Sequence, residues 1–145
     1  MLLLKLFYNG FGVYWWNCIT VILGVKFIIF ILFCFFMNVL FVCNQNENRS
    51  KTAAELFKDK FNTKSAGLYS QHMVSAKEIL WSDVVVVMEE EQRSEIAKRF
   101  PKEYLQKRVL SFDIPDIYHH KNPQLIKELN TKLSVFQEFF IEPSG

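Results

Sequence analysis

The sequence predicts an α/β fold over residues 37–145: a doubly wound four-stranded parallel sheet with helices on both faces. Strand-length runs at 38–43, 62–68, 83–88 and 108–112 alternate with helix-patterned stretches, the order that builds a parallel sheet through right-handed crossovers. Runs such as Val39-Leu40-Phe41-Val42 and Val84-Val85-Val86-Val87 show no polar alternation, so both of their faces are buried.

The first strand ends at Cys43 and passes into the polar segment Asn44-Gln45-Asn46-Glu47-Asn48-Arg49-Ser50. Helix-forming residues resume at Thr52, which makes this segment a tight strand-to-helix connection. Backbone N–H groups in such a turn converge on an anion, with the helix N-terminus behind them. The following helix, 52–61, puts Ala53, Phe57 and Phe61 on one stripe and Lys58, Asp59 and Lys60 on the wet side. The second strand ends in Ser65-Ala66-Gly67, where Gly67 suits a turn with positive φ. Ser75-Ala76-Lys77-Glu78 has the capping-box form and opens a short helix through Trp81.

The third strand, 83–88, is followed by Glu89-Glu90-Glu91. Three acids suggest a metal site, but the first turn of a helix is preferred, since the dipole favours negative charge there and no histidine accompanies them. That helix carries Ile96, Ala97 and Phe100 inward and stops before Pro101. After the fourth strand comes Asp113-Ile114-Pro115-Asp116-Ile117-Tyr118-His119-His120, a loop at the C-terminal edge of the sheet, where open α/β folds place their sites. Asn122-Pro123 starts the last helix, which runs to about Phe140 with Leu125, Leu129, Leu133 and Phe136 in register.

One domain is the expectation for 145 residues. The formal charge of +2 comes from 17 Lys+Arg against 15 Asp+Glu. Lys5 and Lys26 are the only charged residues in the first 36 positions, so the other 109 residues balance at 15 and 15. No basic stripe marks a nucleic-acid partner. Cys18 and Cys34 lie in the N-terminal stretch and Cys43 stands alone beyond it, which excludes a disulfide framework and suits a reduced, cytoplasmic setting.

Residues 1–36 are nearly all apolar and rich in aromatics. The span 13–36 is long enough to cross a bilayer, but Lys26 near its middle costs about 3 kcal/mol on insertion scales. No small-residue cleavage pattern precedes Met37, and the apolar run enters the first strand without a linker. The preferred expectation is that the protein starts at Met37 and that 1–36 are translated upstream sequence. The alternative is a membrane anchor through 13–36 with the domain in the cytoplasm.

The chemistry centres on Cys43 and Arg49. Loop N–H groups, the helix dipole and the guanidinium all favour a thiolate, the nucleophilic form. Arg49 offers two parallel N–H groups to two phosphoryl oxygens, a geometry lysine lacks. Ser50 fits the helix N-cap, and its hydroxyl can also donate to the cysteine sulfur.

Cys43-x5-Arg49-Ser50 resembles the active-site loop of the low-molecular-weight protein tyrosine phosphatases, and more closely their compact branch of bacteria and archaea. Ser65-Ala66-Gly67, the run from Asp83 to Met88, and Asp116-Ile117-Tyr118 fall in the family's order. The resemblance covers residues 38 to about 135. It implies strand order 2-1-3-4 and a Ser-Ala-Gly bend packed under the phosphate loop. It also implies a cysteine-dependent phosphomonoesterase, a protein tyrosine phosphatase working through a phosphocysteine, with no cofactor and a phosphorylated protein or small aryl phosphate as substrate. A monomer is expected. By resemblance Cys43, Arg49, Ser50 and Asp116 are catalytic, and Asn44, Gln45, Asn46, Glu47, Asn48 and Arg49 bind phosphate. Asp116 is the general acid with Asp113 as runner-up, Tyr118 lines the substrate slot, and Tyr69 and His72 are weaker candidates for its opposite wall. Asn46 matches the family's left-handed asparagine, a conformation asparagine tolerates.

The sequence departs from the family at Gln45 and Lys51, where glycine and proline are common, and Glu47 places a negative charge in an anion loop. Two alternatives stand beside the phosphatase. An inactive phosphoryl-binding module needs neither thiol nor acid, and an arsenate reductase needs relay cysteines, none of which follows Cys43. Adjacent His119-His120, with no third ligand nearby, reads as solvated rather than as a metal pair.

Overall fold

The computed structural model describes residues 37–141, so the expectations for 1–36, whether upstream sequence or membrane anchor, lie outside the described residues. Four strands, β1 (Asn38–Cys43), β2 (Asn62–Gly67), β3 (Val84–Val87) and β4 (Arg108–Ser111), form one parallel sheet in the order β2-β1-β3-β4. Five helices accompany them among the described residues: α1 (Arg49–Phe57), α2 (Ala76–Trp81), α3 (Glu90–Arg99), α4 (Pro101–Gln106) and α5 (Pro123–Ile141). Fold class and strand order are as the sequence and the resemblance led one to expect.

The central pair explains why the sheet forms. Val39, Leu40, Phe41, Val42 and all four residues of β3 are buried, so each strand covers one layer with its odd positions and the other with its even ones. One layer holds Leu40, Val42, Val85, Val87, Ile79 and Ile96 in a single cluster. The other holds Phe41, whose ring meets Phe57 of α1 at 5.9 Å and Phe112 at 6.4 Å; Phe112 in turn meets Phe136 of α5 at 6.4 Å. Leu125, Leu129, Leu133 and Phe136 are all buried, as their spacing predicts.

Three boundaries differ from expectation. Helix α1 begins at Arg49 rather than Thr52 and ends at Phe57, with Phe61 still buried beyond it. Asn48, not Ser50, therefore occupies the N-cap position, because Ser50 is needed inside the first turn against the cysteine. Pro101 does not simply end α3: it opens α4 at its first position, where a missing N–H costs nothing. The expected Ser75 and Glu78 capping box is present, with Ser75 N donating to Glu78 Oε2 at 3.0 Å and Glu78 N to Ser75 Oγ at 3.3 Å.

Gly67 corrects one expectation and meets the other. Its φ is not positive; what it supplies is room. A Cβ there would sit 2.8 Å from the carbonyl oxygen of Asn44 and 2.4 Å from Ser70 Oγ. Parallel pairing puts Gly67 opposite Cys43, and Leu68 N and Tyr69 N donate to the carbonyls of Cys43 and Asn44 at 2.9 Å each, drawing the bend under the loop. Gly67→Ala is expected to destabilise the protein by about 1–3 kcal/mol, because even if the Ser70 hydroxyl rotates away, the Asn44 carbonyl oxygen is backbone and cannot. A shift in the urea midpoint at unchanged slope checks this.

Candidate active site

The loop from Asn44 to Asn48 leaves the C-terminal end of the central strand β1 and turns into α1. Asn46 sits at φ 55°, left-handed, as the resemblance implied. In that conformation its N–H donates to Cys43 Sγ at 3.2 Å, and its Oδ1 accepts from Ser50 Oγ at 2.9 Å. Ser50 Oγ lies 3.0 Å from the same sulfur. One hydroxyl hydrogen thus faces two acceptors. With a thiol, S–H donates to Ser50 and Ser50 donates to Asn46; with a thiolate, the hydroxyl turns to the sulfur. The N–H groups of Gln45, Glu47 and Asn48 have no acceptor among the described residues, so three backbone donors remain for an anion.

Arg49 is 1% exposed, the largest fully buried side chain in the described chain, and its charge is matched by two carboxylates. Nη1 donates to the carbonyl of Ile114 at 2.7 Å and lies 3.2 Å from Glu89 Oε1. Nε faces Asp116 Oδ1 at 3.2 Å, yet is not aligned for a hydrogen bond, so this buried donor remains unsatisfied. The contact is one of charge proximity rather than a made bond, since direction matters as much as distance. Glu89 is itself held: Gln92, 1% exposed, gives Nε2 to Glu89 Oε2 at 3.0 Å while its Oε1 accepts from the N–H groups of Met88 and Glu89 at 2.9 and 3.2 Å. Glu89 thus buttresses the arginine as well as starting α3, a role the sequence reading missed. Its place directly after the apolar third strand was the available signal.

Cys43, Gln45, Glu47, Asn48, Arg49 and Asp116 line one small pocket of about 50 Å³. A wider recess of about 510 Å³ adjoins it, lined by Gln45, Asn46, Glu47 and the segment Tyr69-Ser70-Gln71-His72. Asp113, the runner-up acid, lines neither: it is exposed at φ 54°. Tyr69 is at the recess, where the Arg99 guanidinium lies over its ring at 4.7 Å. His72 is there too, its Nε2 2.7 Å from Glu78 Oε1. Tyr118 lines neither cavity. Its hydroxyl donates to Glu128 Oε1 at 2.6 Å, a bond that raises the phenol above its usual range.

Of the two histidines, His119 is exposed as expected, but His120 is not simply solvated. His120 Nδ1 lies 3.0 Å from Thr52 Oγ1, its N–H donates to Asn48 Oδ1 at 3.0 Å, and Nε2 approaches Glu55 at 3.6 Å. Lys121 N donates to the same threonine hydroxyl at 3.0 Å and Nζ reaches Glu55 at 2.9 Å, which holds that carboxyl below its usual range. The loop carrying Asp116 is therefore pinned both to the phosphate loop, through Asn48, and to α1. It also explains why Asn48 makes no side-chain cap: its oxygen is spent on His120. Among the described residues no group of three or more His, Cys, Asp or Glu is placed to hold a metal ion.

No protein-family model matches the sequence, and no curated protein matches it. Solved structures do. A mutant of YwlE from Bacillus subtilis is 19% identical at a TM-score of 0.58, covering 73% of this chain and 99% of that one. The YwlE arginine phosphatase from Geobacillus stearothermophilus is 18% identical at 0.56, over 75% and 99%. The tyrosine phosphatase Wzb from Escherichia coli K30, in complex with phosphate, is 17% identical at 0.58, over 70% and 96%. At these identities the likeness is one of fold.

Proposed function

We propose that this chain, built on the fold of the low-molecular-weight protein tyrosine phosphatases, is a cysteine-dependent phosphomonoesterase whose activity resides in residues 37–145. The observation that carries the reading is the meeting of Cys43, Arg49 and Asp116, drawn from two distant stretches of the chain, around one anion-sized pocket.

The chemistry follows from the donors at hand. Cys43 Sγ, contacted by the Asn46 N–H at 3.2 Å and the Ser50 hydroxyl at 3.0 Å, attacks phosphorus as a thiolate while the bond to the leaving oxygen breaks. Loop N–H groups and the Arg49 Nε, the donor with no hydrogen bond of its own, meet the equatorial oxygens as charge spreads over them. Asp116 protonates the leaving oxygen. In the second step its carboxylate takes a proton from the attacking water, phosphate leaves, and the thiolate is restored. The phosphoryl group competes with Asp116 for Arg49, so binding frees the acid to turn toward the leaving group. The proposed substrate is a phosphorylated protein or a small aryl phosphate, in a compartment reducing enough to keep Cys43 a free thiol.

The test is hydrolysis of p-nitrophenyl phosphate and of phenyl phosphate by the full chain in the presence of EDTA. Asp116→Asn is expected to lower kcat/KM, which reads formation of the phosphocysteine, about 10²-fold or more for phenyl phosphate and far less for the nitrophenyl ester, whose leaving group needs little protonation. An equal fall for both esters would remove Asp116 from the acid role. Folded protein that binds phosphate but hydrolyses neither ester would make the chain a phosphoryl-binding module instead.

A further inference from the structure

Glu47 is out of place in an anion-binding loop unless the substrate brings a cation. Its side chain is exposed and, among the described residues, it has no ion pair or side-chain hydrogen bond and is one of two, with Gln45, that line both the Cys43 pocket and the adjoining recess. A carboxylate beside a phosphoryl dianion is repelled by it. Among the described residues no ion pair neutralises it. Arg49 is matched by Asp116 and Glu89; Arg99 by Glu95 at 2.7 Å, with its remaining reach spent on Tyr69 and the Leu68 carbonyl; and His72 by Glu78. Among the described residues Arg99 and His72 at the recess each have a carboxylate partner, and Glu47 makes no such pair. Nor does the recess provide a stacked aromatic slot, since Tyr118 is turned to Glu128 and the remaining wall is Ser70, Gln71, His72 and one tyrosine.

We propose that Glu47 is a specificity residue that selects substrates carrying a positive charge next to the phosphoryl group. This rests on the hydrolase reading of the same pocket. The phosphoryl group occupies the small pocket, and the adjacent cation lies in the recess against the Glu47 carboxylate, offsetting a repulsion that any neutral or acidic neighbour leaves in place. Two sources supply that chemistry: a lysine or arginine flanking a phosphotyrosine, or the guanidinium of a phosphorylated arginine.

The experiment compares kcat/KM of the full chain on phosphotyrosine peptides that differ only in the flanking residue, lysine, alanine or glutamate, and on a phosphoarginine peptide. It is run on wild type, Glu47→Gln and Glu47→Lys, with p-nitrophenyl phosphate as reference. Wild type is expected to favour at least one cation-bearing substrate over the glutamate-flanked peptide by roughly tenfold, less at high salt. Glu47→Gln should lose that preference and Glu47→Lys should reverse it. The lysine-flanked arm and the phosphoarginine arm show which source the residue reads. Ratios that are the same in wild type and Glu47→Gln for both arms, while p-nitrophenyl phosphate is hydrolysed, overturn the inference and leave the hydrolase reading standing. If no substrate turns over, the hydrolase reading fails. The charge preference is then read as a Kd ratio for the same peptides on Cys43→Ser protein with and without Glu47→Gln, and equal ratios overturn it.

Discussion

Cys43→Ser is expected to abolish hydrolysis, lowering kcat by on the order of 10⁴-fold or more, while the protein still folds and still binds phosphate. The sulfur is 3% exposed and sits between the Asn46 N–H at 3.2 Å and the Ser50 hydroxyl at 3.0 Å. A serine hydroxyl fits that space and keeps both contacts, so the fold has no reason to fail. What is lost is the anion: a hydroxyl does not ionise near neutral pH, and the two donors then hold a poor nucleophile. The donors proposed for phosphate, the amides of Gln45, Glu47 and Asn48 and the guanidinium, are untouched. Steady-state kinetics with isothermal titration of inorganic phosphate separate the two effects. Loss of phosphate binding along with activity would point to a structural role for the thiol instead.

Arg49→Lys is expected to lower kcat/KM by about 10³-fold and to destabilise the protein by about 1–3 kcal/mol. The arginine does two jobs with different edges of one plane. Nη1 ties the loop after β4 to the core through the Ile114 carbonyl and Glu89, and Nε, which makes no hydrogen bond, is the edge proposed to meet the substrate. A lysine ammonium is one point of charge. It can satisfy Glu89 and Ile114 or reach the phosphoryl group, but not both, and the other site goes unpaired. Chemical denaturation reports the first loss and phosphate titration the second. A lysine variant with wild-type activity would show that the amides alone carry transition-state charge.

Much of the site was legible because it is local. Cys43, the five loop residues, Arg49 and Ser50 are contiguous, and a strand running into a polar turn and then a helix constrains them before any tertiary contact is known. Asn46 in the left-handed region is equally local, a matter of what its own backbone tolerates. Ser50 shows the limit of such reasoning. Its type suits an N-cap, but the helix starts two residues earlier, because the hydroxyl satisfies the sulfur and Asn46 rather than a helical N–H. His120 shows it again: it reads as solvated, like its exposed neighbour His119, because the residues it meets, Asn48, Thr52 and Glu55, lie some 70 positions away.

By itself the sequence determined the α/β class, the central position of β1 and β3, the register of α5 and the strand-to-helix turn that follows Cys43. These follow from side-chain type and period, and unbroken apolar runs admit few placements other than the middle of a sheet. Which residues face Arg49 was decided by tertiary structure alone. Parallel pairing of Val42 with Val87 and of Val87 with Ser111 brings Glu89 and Ile114 to the same sheet edge as the loop, 40 and 65 positions along the chain from Arg49. Strand register is a property of the assembled sheet, so no local pattern in the chain encodes those contacts.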